Sequence, residues 1–199
     1  MLERVIFEVS DSLYGPWTVL GSGQRIAGGW SLDGLDFPVG QNVYIRARGY
    51  YGTGAGSMTE SILQFYLEKA IIQVTNTADP SVLKEPGGKV TFKIAINNTS
   101  GTNTVTISTL TDTFHGNLNG EGNCSVPRTI AAGSRYNCVF DADITGSAGI
   151  SETDTVTAKG ADEYGNPVSD SDSATVKIIQ DGGCVYYTPR NKSPLMICW

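Results

Sequence analysis

Val90, Phe92, Ile94 and Ile96 alternate without interruption against Thr91, Lys93, Ala95 and Asn97. A period of two puts the first set on one face of a strand and the second on the other, whereas a helix would scatter the apolar set around its axis. The same spacing recurs in Val43, Ile45, Ala47 and Gly49 against Tyr44, Arg46 and Arg48. No stretch of the sequence carries an apolar period of 3.6 long enough for a helix. The chain is therefore expected to be all-β. Its 24 Gly, with abundant Ser, Thr and Asn, suit many short strands joined by turns. No run approaches the roughly 18 apolar residues that a membrane-crossing helix needs, so no membrane insertion is expected.

Strands and turns divide the 199 residues into three regions. In the first, 1–68, strands are expected at 4–9, 17–20, 29–32, 42–50 and 58–67. Turns fall at Gly15-Pro16 and around Gly52 to Gly56. In the second, 69–180, strands are expected at 71–75, 90–97, 105–110, 136–142, 154–159 and 174–179. Turns there fall at Glu85-Pro86-Gly87-Gly88, Ala131-Ala132-Gly133-Ser134 and Tyr164-Gly165-Asn166-Pro167. About seven strands over about 110 residues is the arithmetic of an immunoglobulin-like sandwich. The third region, 181–199, begins with an Asp181-Gly182-Gly183 hinge and holds Tyr186-Tyr187 and the run Pro194-Leu195-Met196-Ile197. The fold class is thus two consecutive β-sandwich modules followed by a disulfide-closed C-terminal tail.

The first region reads as the later strands of a sandwich without the opening ones. Such a half-sandwich exposes an apolar face and unpaired backbone that another chain can fill. The residues expected at that interface are Val5 and Phe7 on one strand and Tyr44, Arg46 and Arg48 on another. A donor segment is sought in the tail, at Tyr186, Leu195, Ile197 and Trp199.

Charge and cysteines set the compartment and exclude partners. A net charge of −6 and a pI near 4.7 argue against nucleic acid, whose binding depends on Lys and Arg neutralising phosphates. Cys124 and Cys138 are 14 positions apart, and so are Cys184 and Cys198. Neither spacing is C-x-x-C, so two local disulfides read better than a zinc or redox motif. Each would contribute about 3 kcal/mol on the chain-entropy model. Disulfides imply an oxidising compartment, here extracellular or the cell surface. The alternative is four free thiols in a reducing one.

Catalytic constellations are poorly supported. His115 is the only histidine, read as a solvent-exposed loop residue, and there is no Gly-x-Ser-x-Gly elbow. No enzymatic activity and no cofactor are expected. Zinc sites of the usual kind fail for want of a second histidine. Calcium is the least implausible ion, with weak candidates in Asp141 and Asp143 and in Asp170 and Asp172. Glu152-x-Asp154 and Asp162-Glu163 also supply oxygen donors, but nothing fits a twelve-residue calcium loop. An aromatic and arginine set, among them Trp17, Trp30, Tyr44, Arg46 and Arg48, suggests a surface for a protein or a sugar.

Two resemblances sharpen this reading. Ser31-Leu32-Asp33-Gly34-Leu35, then Pro38, then Tyr44 to Arg48, resembles the turn and strand near the end of a fibronectin type III domain. The whole first region is also similar to the module that ends many secreted bacterial propeller-repeat proteins. Under this resemblance 4–9 is strand C and 17–20 strand C′, and strands A and B are lacking. The second region resembles the Ig-like repeats of bacterial surface proteins. Asn76 to Pro80, Asn97 to Ser100, Thr111-Asp112, Ala131 to Cys138 and Asp162 to Asp172 carry that match. It implies a stalk or spacer role with Cys124–Cys138 as the internal bridge, and no catalysis. The leading expectation is a structural module of an extracellular assembly, in its sharper form a fibre subunit joined by β-strand complementation. Its partner is protein, either further copies or a larger parent polypeptide. The alternative is a carbohydrate- or host-surface-binding adhesin module, with a glycan as partner.

Overall fold

The computed structural model describes residues 1–52, 57–188, 190, 193 and 195–198. All regular structure among them is β. The chain divides into two compact units, Met1–Lys69 and Ala70–Trp199.

The first unit is built on one antiparallel sheet. Its strands are β1 (Arg4–Ser10), β2 (Thr18–Ser22), β5 (Asn42–Tyr50) and β6 (Met58–Tyr66), in the order β2-β1-β5-β6. A separate ribbon pairs β3 (Gln24–Ile26) with β4 (Gly29–Ser31). The register sets Val5 opposite Gly49, Phe7 opposite Ala47 and Val9 opposite Ile45, so the apolar phases of β1 and β5 share one face. On that face Val5 and Val43 are buried, while Phe7, Val9, Ile45 and Ala47 remain partly exposed. Trp30 of the ribbon and a loop carrying Phe37 roof part of it, the Phe37 ring meeting Phe65 edge-on at 5.5 Å. No second full sheet stacks on this face within the unit's described residues.

The second unit packs two sheets around one core. The first sheet consists of β7 (Ile72–Asp79), β9 (Gly87–Asn98) and β13 (Arg135–Thr145), ordered β13-β9-β7. The second consists of β8 (Val82–Lys84), β10 (Val105–Asp112), β11 (Gly116–Asn117), β12 (Arg128–Ile130), β14 (Ser151–Asp162) and β15 (Pro167–Ile179). Its order is β11-β10-β14-β15-β8, and β12 also pairs with β10. The alternation read at 90–97 is the inward phase of β9: Val90, Phe92, Ile94 and Ile96 are all buried, and Lys93 points out to Asp79 at 2.7 Å. Ile107, Leu110, Val156, Val176 and Ile178 meet them from the other sheet. Burial of this set is the main source of the unit's stability.

The strand expected at 71–75 continues to Asp79. Beyond Pro80 the chain resumes as β8, which pairs parallel to β15 in the other sheet. The turn read at Glu85 to Gly88 leads straight into β9. Gly87 has a φ of 112°, and a Cβ there would collide with the Ile144 carbonyl oxygen, so the turn requires glycine. Cys124 and Cys138 are disulfide-bonded inside the core. After Gln180 the chain forms a hairpin of β16 (Cys184–Tyr187) and β17 (Leu195–Cys198), with Cys184 in register with Cys198. Cys184 is disulfide-bonded, and among the described residues no cysteine is free.

Candidate functional site

Two places in the molecule carry more than packing, one in each unit.

In the first unit the face opposite the apolar one holds a buried carboxylate. Glu8 lies in phase with Ile6 and Ser10 and directly opposite Arg46 in register. It is 2% exposed. Arg46 donates through Nε to Glu8 Oε2 at 2.7 Å, and Arg48 donates through an Nη to Oε1. Burial alone would raise the Glu8 carboxyl, but the hydrogen bonds and charges of Arg46 and Arg48 outweigh it and hold it below the usual carboxylate value. The Arg46 guanidinium also lies over the Trp17 ring at 4.3 Å. Of the residues the sequence offered as an interface, Arg46 and Arg48 are thus engaged in binding Glu8. Tyr44 shares their face and is half-buried. Val5 and Phe7 are on the other face, where with Leu2, Trp30 and Ala47 they line a groove of about 280 Å³.

The sheet's edge at β6 is open within its unit, because β6 pairs only with β5. All of its residues but Phe65 are exposed, including Met58, Ile62, Leu63 and Tyr66. By contrast, both edges of the three-stranded sheet in the second unit are occupied by side chains. Along β7, the backbone N–H groups of Val74 and Asn76 donate to the carboxylates of Asp170 and Asp172 at 2.7 and 2.8 Å. Along β13, Val139 N–H donates to Asn123 Oδ1 at 2.7 Å and its carbonyl accepts from Asn123 N–H at 3.1 Å. The Cys124–Cys138 bridge holds that loop in place.

These contacts involve the aspartates that the sequence offered for calcium. Asp170 and Asp172 each give one carboxylate oxygen to the backbone of β7. Asp141 accepts from Thr91 Oγ1 at 2.7 Å and lies 3.6 Å from Lys89, while Asp143 is an exposed residue two positions on along the same strand, β13. Among the described residues, neither pair joins a cluster of three metal-ligating side chains.

One such cluster does form, at Asp112, His115 and Asp154, whose ligand atoms all lie within 4.8 Å of one another. Asp112 ends β10 in the inward phase of Leu110, and Asp154 sits on β14 in the inward phase of Val156 and Ala158. His115 does lie in the loop after β10, but its side chain is half-buried rather than free in solvent. Asp112 Oδ1 accepts from the N–H groups of Phe114 and His115 at 2.9 and 3.0 Å, which curls the loop back over the core. The imidazole then packs against Phe92 and Phe140 at 5.9 and 5.3 Å and is 27% exposed. Its Nδ1 is 3.0 Å from Asp112 Oδ1 and 3.7 Å from Asp154 Oδ1. Asp154 is fully buried, and neither of its carboxylate oxygens has a hydrogen-bond partner. Burial, with the nearby charges of Asp112 and Glu152, pushes its carboxyl up to about 6, against the opposing pull of His115. The sequence signal for this cluster is a carboxylate in a core phase, twice.

The hairpin residues Leu195 and Ile197 are exposed on β17. Tyr186 lies on β16, and Trp199 falls outside the described residues.

The sequence matches no family profile and no curated protein. Among solved structures, the chain is similar to BcpA, the major pilin subunit of Bacillus cereus. The TM-score is 0.36 and the identity 9%, over 94% of this chain and 67% of that one. It is also similar to a tetra-tandem repeat from the extending region of a large adhesion protein. Here the TM-score is 0.29 and the identity 18%, over 92% of this chain and 44% of that one. Likenesses this loose carry no argument.

Proposed function

We propose that the chain is a non-enzymatic structural module of an extracellular or cell-surface assembly, joined to its protein partner by strand addition on the first unit. The observation that carries this reading is the contrast between the sheet edges. The edge at β6 is nine residues long, exposed and rich in apolar side chains. The edges of the three-stranded sheet in the second unit are met by Asp170 and Asp172 at two amides of β7 and by Asn123 at Val139 of β13. Long open edges template pairing with another chain unless they are covered or charged. Beside that edge, Phe7, Val9 and Ile45 remain partly exposed on the apolar face, so an added element can pair backbone and cover apolar surface together.

The strand orders support the two module types. The order β2-β1-β5-β6 is that of strands C′, C, F and G in a fibronectin-like sandwich. In the second unit, β7, β9 and β13 stand as strands A, B and E, facing strands C, F and G in β10, β14 and β15. Disulfides at Cys124 and Cys184 suit an oxidising, extracellular setting. The glycan-binding reading loses its strongest residues, since Arg46 and Arg48 are committed to Glu8.

Light scattering coupled to size exclusion across the micromolar range tests the proposal. The expected result is concentration-dependent association that Leu63→Lys, a change at an exposed edge position, abolishes without loss of folding. A wild-type monomer at every concentration, whose β6 amides are nevertheless protected from exchange, would overturn it.

A further inference from the structure

The cluster in the second unit is an unusual thing to bury. Two carboxylates enter the core phase of adjacent strands, and the charge facing them is at most one imidazolium. Asp112 Oδ2 and both oxygens of Asp154 are buried without a hydrogen-bond partner, and so is the side-chain oxygen of Asn76. Asn76 adjoins the cluster, donating through Nδ2 to the Asp154 carbonyl at 3.4 Å. Orphaned buried acceptors of this kind are costly, and a native fold that keeps several together ordinarily supplies a donor or a cation.

We propose that Asp112, His115 and Asp154 form a binding site for a divalent first-row cation of the zinc class. The geometry fits. Zinc bound at 2.0–2.2 Å by oxygen and nitrogen sets its tetrahedral ligands about 3.3 Å apart. His115 Nδ1 lies 3.7 Å from Asp154 Oδ1, and one ligand atom from each of the three residues falls within 4.8 Å of the others. The donor set fits as well. An imidazole with two carboxylates suits a borderline ion, whereas calcium takes six to eight oxygens and this cluster gathers far fewer. Asp112 divides its roles. Oδ1 receives two backbone N–H groups and so fixes the loop, leaving Oδ2 for the ion. Phe92 and Phe140 flank the imidazole, which is the member of the cluster that reaches solvent. The ion therefore enters past His115 and sits in a dry site that ties β10, β14 and the following loop together. The role is a structural staple at one end of the sandwich.

Because His115 is the only histidine, a tag-free protein gives one imidazole signal in long-range 1H–15N spectra. Titrating the full, oxidised chain with Zn2+ at neutral pH is expected to show one saturable site by calorimetry. The Nδ1 resonance of His115 moves to the position of a metal-bound nitrogen, and the melting temperature rises with free Zn2+. Asp154→Asn, which keeps the shape of the side chain, is expected to weaken binding by about 100-fold, and His115→Gln by a similar factor. Calcium at the same concentration leaves the His115 signal in place. Three results would overturn the proposal: no saturable Zn2+ binding by the folded protein, binding that leaves His115 Nδ1 unmoved, or binding equally tight in both variants. Should either variant fail to fold, the wild-type His115 titration decides the matter alone.

Discussion

Asp154 makes the stability of the second unit depend on pH in the direction opposite to most carboxylates. In the unfolded chain its carboxyl titrates near the ordinary 3.8, and in the fold it is pushed up to about 6. The folded state therefore binds the proton more tightly than the unfolded one, and stability falls as pH rises. The contribution is fully present below about pH 4, declines through the interval to pH 6, and is lost by about pH 7. At 1.36 kcal/mol for each tenfold change in proton affinity, the loss is about 3 kcal/mol. That is a large share of the 5–15 kcal/mol typical of a folded domain. The groups facing Asp154 are Asp112 and His115 on and beyond β10, Glu152 on its own strand, and the neutral Asn76 on β7.

The assay is urea unfolding at a series of pH values in the presence of a chelator, with disulfides intact. It is followed at the amide signals of Ile94, Val156 and Val176 so that the second unit is read separately. Wild type is expected to lose about 3 kcal/mol between pH 4 and pH 7 relative to Asp154→Asn, whose amide cannot ionise. Comparing the two removes the contributions of every other titrating group. Saturating Zn2+ is expected to flatten the wild-type difference, because the ion replaces the proton. Parallel curves for the two proteins under chelation would refute the reasoning, since they would mean that Asp154 meets the same environment folded and unfolded.

Glu8→Gln leaves the guanidinium groups of Arg46 and Arg48 around a neutral amide, and is expected to destabilise the first unit by about 2 kcal/mol. That is below the roughly 3–5 kcal/mol of a fully buried broken pair, because both arginines reach water and can rehydrate. The indole signal of Trp17, under the Arg46 guanidinium, reports the transition, and an unchanged urea midpoint would count against the network. Since Glu8 is held below its usual value, its contribution is present above about pH 4.5 and fades as pH falls, the reverse of Asp154. Replacing Cys124 and Cys138 together by Ala opens a 14-residue loop and is expected to cost about 3 kcal/mol in the second unit. It also raises amide exchange at Val139, whose edge pairing with Asn123 that loop presents. A loss below about 1 kcal/mol with Val139 still protected would mean that the loop holds itself.

How much of this was legible in the sequence depends on how far apart the interacting residues lie. Period-two patterns are local, so the strands at 42–50 and 90–97 could be read directly, with the right face inward. The three-residue strands Val82–Lys84 and Arg128–Ile130 escaped, because so short a segment has no period and is a strand only by virtue of its neighbour. The site lay between these cases. The sequence places Asp112 two residues after Leu110, and Asp154 two before Val156, so each carboxylate announces itself in a core phase. Their convergence does not follow from either pattern. It needs the antiparallel register that sets Asp112 opposite Val156, which brings the end of β10 alongside Asp154. It also needs the Asp112 side chain to turn the next three residues back, so that a histidine with every local mark of a surface loop lands on Phe92 and Phe140. Glu8 has the same logic. Its phase with Ile6 and Ser10 is readable, but Arg46 and Arg48 become its partners only once β1 and β5 pair, 38 and 40 positions apart. For Asp112 and Asp154 a polar residue in an apolar phase is thus the sequence's mark that a long-range partner exists, and for all three carboxylates the register of the sheet decides which one.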